Sequence, residues 1–124
     1  MDVELHIDFW RAGAREDWDV GAGLVRDGKT RHGLFFVHLA LEKALKALVT
    51  RKTVEVPPRI HNLVVLAEAA GLQLAEGKIQ LLAEMNEFQI AGRYPKMLPK
   101  PPPQGEADAI MQRAEEVFTW LMQQ

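Results

Sequence analysis

The segment Leu34–Val49 reads LFFVHLALEKALKALV, and it decides the fold of this chain. Apolar residues recur at positions 34, 37, 41, 45 and 48, and a second apolar set lies beside them at 36, 40, 44 and 47. A spacing close to 3.6 residues predicts a helix. Because a helix that is apolar nearly all round must be buried on several sides, we expect the central helix of a bundle, with a subunit interface as its second burial surface.

The composition indicates one globular domain, residues 1–124. Apolar residues make up 48% of the chain and charged residues 26%, which is enough apolar surface to build a core. The net charge of −2 gives no overall attraction to nucleic acids or anionic membranes. The chain contains no cysteine and no serine, so disulfides, thiolate zinc sites and cysteine or serine nucleophiles are excluded.

The sequence also bears on location. Residues Met1–Glu4 are acidic and lack the basic and apolar regions of a signal peptide. The apolar run Leu34–Leu41 is interrupted by a histidine, ends at Glu42 and is too short to cross a bilayer. We therefore expect a cytoplasmic protein that does not engage a membrane.

Five helical segments and no strand follow from the periodicity, at about residues 8–27, 31–51, 60–70, 76–92 and 105–122. Gly28 and Gly71 are suited to end the first and third segments, and Thr30 is suited to cap the second. The third and fourth segments are short, and we expect them to stack end to end as one broken arm. The prediction is an all-α, up-and-down antiparallel four-helix bundle.

The buried faces can be predicted from the same spacing. The first segment should turn Trp10, Ala14, Trp18, Ala22 and Val25 inward. The fourth should turn Ile79, Leu82, Met85 and Ile90 inward, with Leu81 and Phe88 flanking that face.

Several short patterns occur in a characteristic order along the chain. Glu42-Lys43-Ala44-Leu45-Lys46 follows the apolar run, Pro58-Arg59-Ile60-His61-Asn62-Leu63 opens the third segment, and Arg93-Tyr94-Pro95 follows the fourth. With a tryptophan-containing first helix before them, these patterns resemble the HEPN superfamily, the higher eukaryotes and prokaryotes nucleotide-binding domain. The resemblance covers nearly the whole chain and points to the short, stand-alone prokaryotic type.

The resemblance implies a helical bundle that forms a homodimer. It further implies binding of a nucleotide or RNA, and a gene paired with a minimal nucleotidyltransferase, often as a toxin–antitoxin system. Some HEPN proteins are metal-independent ribonucleases that use an Arg-x(4–6)-His motif. A nucleotide is the only small ligand implied, and no cofactor or metal is expected.

The ribonuclease motif has a formal match in Arg31 and His38, which six residues separate. The match lies on the second helix, whereas the family motif lies near the start of the last bundle helix, which here has no histidine. Two turns, or about 10 Å, separate the two side chains along the helix. We therefore interpret His38 as a structural residue paired with Glu42, and keep Arg31/His38 and Arg93/His61 as alternative catalytic pairs.

Candidate ligand-binding residues fall into three groups: His61 with Arg59, Lys43 with Lys46, and Arg93 with Tyr94. An arginine can grip phosphate, and a tyrosine ring can stack on a base. Each group has a structural alternative, namely capping of the third helix, a solvated helix face, and packing over the bundle end. No spacing of histidines and carboxylates indicates a metal site.

The candidate dimer contacts are Phe35, Phe36, Leu39 and Lys43, on the second helix, which is apolar on nearly all sides. The leading hypothesis is a homodimeric module that binds nucleotide or RNA or partners a nucleotidyltransferase. The alternatives are a metal-independent ribonuclease toxin and a purely structural dimer.

Overall fold

The computed structural model describes residues 1–91 and 100–124, with side chains described up to residue 89 in the first range. Five α-helices account for most of these residues: α1 (Val3–Arg26), α2 (Thr30–Thr53), α3 (Leu63–Ala69), α4 (Glu76–Ala91) and α5 (Gln104–Met122). No strand occurs in either described range. The predicted all-α fold with five helical segments is confirmed.

Helices α1 and α2 are an antiparallel pair in close contact. Gly21 and Gly33 lie at the crossing, where a Cβ atom on Gly21 would come within 2.8 Å of the Gly33 carbonyl oxygen. Further along, Gly13 lies against the side chain of Lys43. The missing side chains let the two backbones approach, which is why α2 can be buried against α1 over most of its length.

The chain reverses between these helices at Gly28, whose φ of +86° is the left-handed conformation that glycine favours. The predicted cap at Thr30 is wrong. Lys29 precedes the helix without a capping side chain, and Thr30 Oγ1 instead donates a hydrogen bond to the Pro102 carbonyl at 2.9 Å. The hydroxyl therefore ties the start of α2 to the segment that leads into α5.

Helices α3 and α4 lie side by side rather than end to end. Asn86, in the second half of α4, accepts a hydrogen bond from the backbone N–H of Leu63, the first residue of α3, at 2.9 Å. The turn after α3 contains Gly71 with a φ of +70°, which reverses the chain direction. The expected end-to-end arm is therefore folded back on itself.

The core is centred on α2, which packs against each of the other helices. Of the residues predicted inward on α1, Ala14 and Val25 are fully buried, and Trp18 stacks on Phe118 of α5 at 4.7 Å between ring centroids. In α4 the prediction for Ile79 is wrong, because its side chain is 41% exposed. The side chains of α4 that fill the core are Leu81, Leu82, Met85 and Phe88.

Candidate functional site

A column of ionisable side chains runs along the most buried helix of the bundle. His38, Glu42 and Lys46 follow one another at four-residue steps on α2, and their exposed fractions are 0%, 4% and 6%. Residues four apart stack on one face of a helix. Because burial of a charge is costly unless the charge is paired, these three residues require partners inside the bundle.

Glu42 is the centre of the cluster. One carboxylate oxygen, Oε2, lies 3.1 Å from the Lys46 ammonium, and the other, Oε1, lies 2.9 Å from Nδ1 of His61. The Lys46 ammonium also lies over the ring of Trp10, 5.5 Å from its centroid. The alternative of a solvated helix face is therefore wrong for Lys46, since Lys46 and its partner Glu42 are both buried in the interior.

His38 is buried completely beside this carboxylate. Its Nδ1 lies 3.8 Å from Glu42 Oε1, which is too far for a hydrogen bond, and neither ring nitrogen has a hydrogen-bond partner among the described residues. Burial lowers the pKa of His38 to about 4, although the nearby Glu42 carboxylate acts in the opposite direction. His38 is thus neutral at pH 7.

His61 reaches Glu42 from the segment that precedes α3. Because a carboxylate only accepts hydrogen bonds, the Nδ1 of His61 donates to it, and the imidazole therefore turns its Nε2 edge away from Glu42. The side chain of His61 is 43% exposed, whereas that of Glu42 is 6% exposed. A carboxylate inside the bundle thus fixes the orientation of an imidazole at its surface.

The backbone next to His61 is fixed by two asparagines. Asn62 Oδ1 accepts hydrogen bonds from the backbone N–H groups of Val64 and Val65 at 3.0 and 3.3 Å, so Asn62 caps α3. Asn86 of α4 donates to the same oxygen at 3.1 Å. The segment that carries His61 is therefore attached to α2, α3 and α4 at once.

The other candidate ligand residues do not join the Glu42 cluster. Arg59 is exposed two residues before His61, whereas Lys43 forms an ion pair with Asp17 of α1 at 2.7 Å. Lys43 and Lys46 were expected to share one face, but the first points to the α1 edge and the second into the interior. Arg93 and Tyr94 lie outside the described residues.

The formal Arg31/His38 motif gains no support as a catalytic pair. His38 is inaccessible to solvent, Arg31 is partly buried, and no hydrogen bond joins the two in the described part of the chain. A general acid or base must reach the proton that it transfers. The structure therefore places His38 in the interior of the bundle.

The candidate dimer residues lie on the least covered side of α2. Phe35, Phe36 and Leu39 are partly exposed, and the rings of Phe35 and Phe36 meet edge to face at 5.6 Å. Leu39 precedes the buried Glu42 by three residues, so this apolar surface borders the polar column.

The roles of three residues in the Glu42 cluster were not predicted from the sequence. Glu42 was expected only as a helix ion-pair partner, while Asn86 and Trp10 were not connected to it. The Glu42–Lys46 spacing inside an apolar run was the available signal, because charges at buried helix positions require partners. Nothing in the sequence marks Asn86, since its role depends on the side-by-side packing of α3 and α4.

The described residues carry an all-α bundle with a buried glutamate that orients a surface histidine. The family profile described as "HEPN domain" matches residues 7–124 of the sequence. The chain therefore belongs to the HEPN family. A comparison with curated protein sequences gave no significant match.

Two solved structures share the fold. The protein TT1696 from Thermus thermophilus superposes with a TM-score of 0.77 at 22% sequence identity, over 93% of this chain and 94% of that protein. ST0689, described as an archaeal HEPN homologue, gives a TM-score of 0.71 at 19% identity, over 93% of both chains. At these identities the similarity establishes the fold.

The described residues contain neither a metal-binding cluster nor a helix that could cross a membrane. Across residues 1–91 and 100–124, histidines and carboxylates form no group of three or more that could hold a metal ion. Within the same ranges, none of the helices combines the length and hydropathy needed to cross a bilayer.

Proposed function

We propose that this chain is a homodimeric HEPN module that binds the phosphate of a nucleotide or an RNA at His61 and Arg59. The observation that carries the proposal is the 2.9 Å contact between His61 Nδ1 and Glu42 Oε1, which orients an imidazole whose side chain is 43% exposed. A phosphate favours a protonated imidazole and a guanidinium as hydrogen-bond donors. Lys46 balances the charge of Glu42, so the negative phosphate does not meet an unpaired carboxylate.

Titration of the full chain with ATP, GTP and a short single-stranded RNA tests this proposal. His61→Gln and Arg59→Gln should each weaken binding about tenfold, the usual effect of removing a charge-assisted contact. Arg113→Gln is the matched control, since Arg113 is an exposed arginine on α5 that pairs with Glu84. Unchanged affinity in both site variants would refute the assignment to His61 and Arg59.

Arg93 and Tyr94 remain proposed ligand contacts on the basis of the sequence pattern. Arg93→Gln and Tyr94→Ala in the same titration separate their role from that of His61. A nucleotide titration that leaves the NMR signals of Arg93 and Tyr94 undisturbed would remove them from the site.

For the homodimer, we propose that Phe35, Phe36 and Leu39 form the interface, with Lys43 at its edge. The proposal is supported by a partly exposed aromatic pair on a helix whose other faces are buried. Sedimentation velocity should show a dimer at micromolar concentration and a monomer for Leu39→Glu. Val65→Glu, at a 43% exposed valine on α3, is the control that should remain a dimer.

One observation favours a second function, a metal-independent ribonuclease. A histidine that donates Nδ1–H to a carboxylate and presents Nε2 is the arrangement by which a general base is oriented. Cleavage of a short RNA should then be lost in His61→Ala and persist in His38→Ala. Cleavage that survives in both variants would exclude these histidines, and no cleavage by the native chain would exclude the ribonuclease.

Family membership supports the proposed setting, a cytoplasmic toxin–antitoxin pair with a minimal nucleotidyltransferase as partner. Co-expression with the product of the neighbouring gene, followed by size-exclusion chromatography, tests the partnership. A neighbouring gene of another kind would contradict this partnership. A dimer that binds no nucleotide, no RNA and no nucleotidyltransferase would favour the purely structural dimer instead.

A further inference from the structure

The side chain of Asn86 on α4 holds the two residues that follow His61. Its Oδ1 accepts the backbone N–H of Leu63 at 2.9 Å, and its Nδ2 donates to Asn62 Oδ1 at 3.1 Å. Because a backbone N–H can only donate, the atom that meets Leu63 must be the amide oxygen, and the amide nitrogen must then face Asn62. The two hydrogen bonds therefore define a single orientation of the Asn86 amide.

The part of α4 that carries Asn86 is fixed by the core. The neighbouring side chains Leu82, Met85 and Phe88 are 0%, 0% and 5% exposed. A group that has to hold another in place within a fraction of an ångström is best carried by such a rigid helix. Through Asn86, the backbone beside His61 is thus positioned relative to the centre of the bundle.

The imidazole of His61 depends on a hydrogen bond for its orientation. Its side chain is 43% exposed, so packing covers only part of it, and its Nδ1 lies 2.9 Å from Glu42 Oε1. A shift of the segment by about 1 Å would lengthen this contact beyond 3.5 Å, where a hydrogen bond is lost. The contact between His61 and Glu42 therefore requires that the backbone beside His61 stays in place.

The other contacts of this segment do not supply that restraint. The cap of Asn62 joins it to Val64 and Val65, which follow directly in the chain and move with it. Leu63 is fully buried, but an apolar contact is non-directional and does not fix how the backbone is rotated. Asn86, by contrast, holds the segment with two directional bonds from a distant helix.

A purely structural role would use only half of the Asn86 amide. The buried start of α3 needs an acceptor for the Leu63 N–H, and Oδ1 of Asn86 provides it. The second bond, from Nδ2, goes to an Asn62 oxygen that already accepts two backbone N–H groups. That bond is not needed to cap α3, and it restrains the residue next to His61.

We propose that Asn86 is a positioning residue of the His61 site, which sets the orientation of the imidazole against Glu42 and thereby the affinity for the phosphate ligand. The effect on affinity rests on the proposed function, whereas the effect on His61 rests on the contacts within the chain. Asn86 acts through His61 and does not touch the ligand. Helix α4 thus takes part in the site through a residue that lies twenty-five positions after His61 in the sequence.

The experiment records the nitrogen NMR signals of the histidine side chains in the full chain above pH 8, where a free imidazole is neutral. His61→Gln identifies the signals of His61. In the native chain His61 should carry its proton on Nδ1, as the contact with Glu42 requires. Asn86→Leu should give the mixed tautomers of a free imidazole at His61. The same variant should weaken binding of a short single-stranded RNA about tenfold, the effect of losing one charge-assisted contact.

Asn86→Asp separates the two bonds, since it keeps an acceptor for the Leu63 N–H and has no donor for Asn62. It should change the His61 signals as Asn86→Leu does, with a smaller loss of stability. Gly33→Ala is the stability control, because it disturbs the contact between α1 and α2. Gln80→Leu, at an exposed position of α4, is the surface control. Both controls should leave the His61 signals and the RNA affinity unchanged.

The possible outcomes are distinct. Native His61 signals in Asn86→Leu would overturn the proposal, whatever the RNA affinity. Altered His61 signals in Gly33→Ala would also overturn it, because any loss of stability would then have the same effect. If the native chain binds no RNA, the proposed function fails, and the histidine signals alone decide whether Asn86 positions His61.

Discussion

Glu42 and His61 are joined by a hydrogen bond of 2.9 Å that crosses from the central helix to the segment before α3. The carboxylate is 6% exposed and the imidazole 43%, so the bond connects the interior of the bundle to its surface. Any change at Glu42 therefore acts both on the stability of the bundle and on the orientation of His61.

Replacement of Glu42 by glutamine should destabilise the protein by about 3 kcal/mol, because it leaves the Lys46 ammonium buried without a counter-charge. Urea unfolding followed by circular dichroism measures the loss. The double variant Glu42→Gln/Lys46→Met should recover much of it, since no buried charge remains. Breaking the exposed Arg113–Glu84 pair with Glu84→Gln is the control and should cost less than about 1 kcal/mol. An equal loss for both pairs would contradict the burial argument.

His38 should make the protein less stable in acid. Its pKa is about 4 in the folded chain and 6.5 as an ordinary value, so the unfolded chain binds the proton more readily. The free energy of unfolding should therefore fall as the pH drops below 6.5 and level off near pH 4, by about 3 kcal/mol in total. Urea unfolding at pH 7, 5.5 and 4.5 measures this fall.

The matched variant for this prediction is His38→Leu, which removes the titrating group and keeps an apolar side chain of similar size. Its stability should decrease less between pH 7 and pH 4.5 than that of the native chain. The same acid loss in both proteins would assign the effect to other groups.

The contact between α1 and α2 should not tolerate a side chain at Gly33. A Cβ atom there would come within 2.5 Å of Val25 Cγ2 and 2.7 Å of the Val25 backbone nitrogen. Gly33→Ala should therefore destabilise the protein by about 2 kcal/mol, despite the higher helix propensity of alanine. Gly77→Ala is the control, since a Cβ atom at this position of α4 meets nothing within 4 Å. The control should be stabilising by about 0.5 kcal/mol, and thermal unfolding compares the two.

Loss of the α3 cap should cost stability and reduce ligand affinity together. Asn62→Ala removes the acceptor for Val64, Val65 and Asn86, and should destabilise the protein by about 1–2 kcal/mol. Because the same segment holds His61, RNA affinity should also fall in Asn62→Ala. Asn62→Asp keeps a capping oxygen and should preserve most of the stability. If Asn62→Ala keeps full RNA affinity, His61 does not depend on this cap.

Much of the fold could be predicted because the signals were local. The period of the apolar residues in α2, the left-handed turn at Gly28 and the Asn62 cap all depend on residues close in sequence. The helix ends were less predictable, since α1 begins at Val3 after an Asp2 cap, and α2 ends at Thr53 before a C-cap at Val54 with a left-handed φ of 58°. The residue type at a helix end gives only a weak preference for ending the helix there, and packing overrides that preference.

The site was predicted in part for the same reason. His61, Arg59 and Lys46 could be selected as chemically interesting residues, but their grouping could not. The two lysines Lys43 and Lys46 are three residues apart and looked equivalent, yet one pairs with Asp17 and the other is buried with Glu42. Which of two neighbouring lysines enters the interior depends on where α1 and α3 pack against α2.

The sequence by itself determined that this chain is an all-α HEPN bundle built around one helix that is apolar on nearly all sides. Both the helical period and the family patterns can be recognised from residues that are close together in the sequence. Only the tertiary structure decided that α3 folds back along α4, and that Glu42 meets His61 nineteen residues further on. Contacts of this kind depend on the relative placement of helices, which local propensity does not specify. Packing likewise decides which side of α1 the bundle leaves uncovered, and Leu5, Phe9 and Val20 lie on that side.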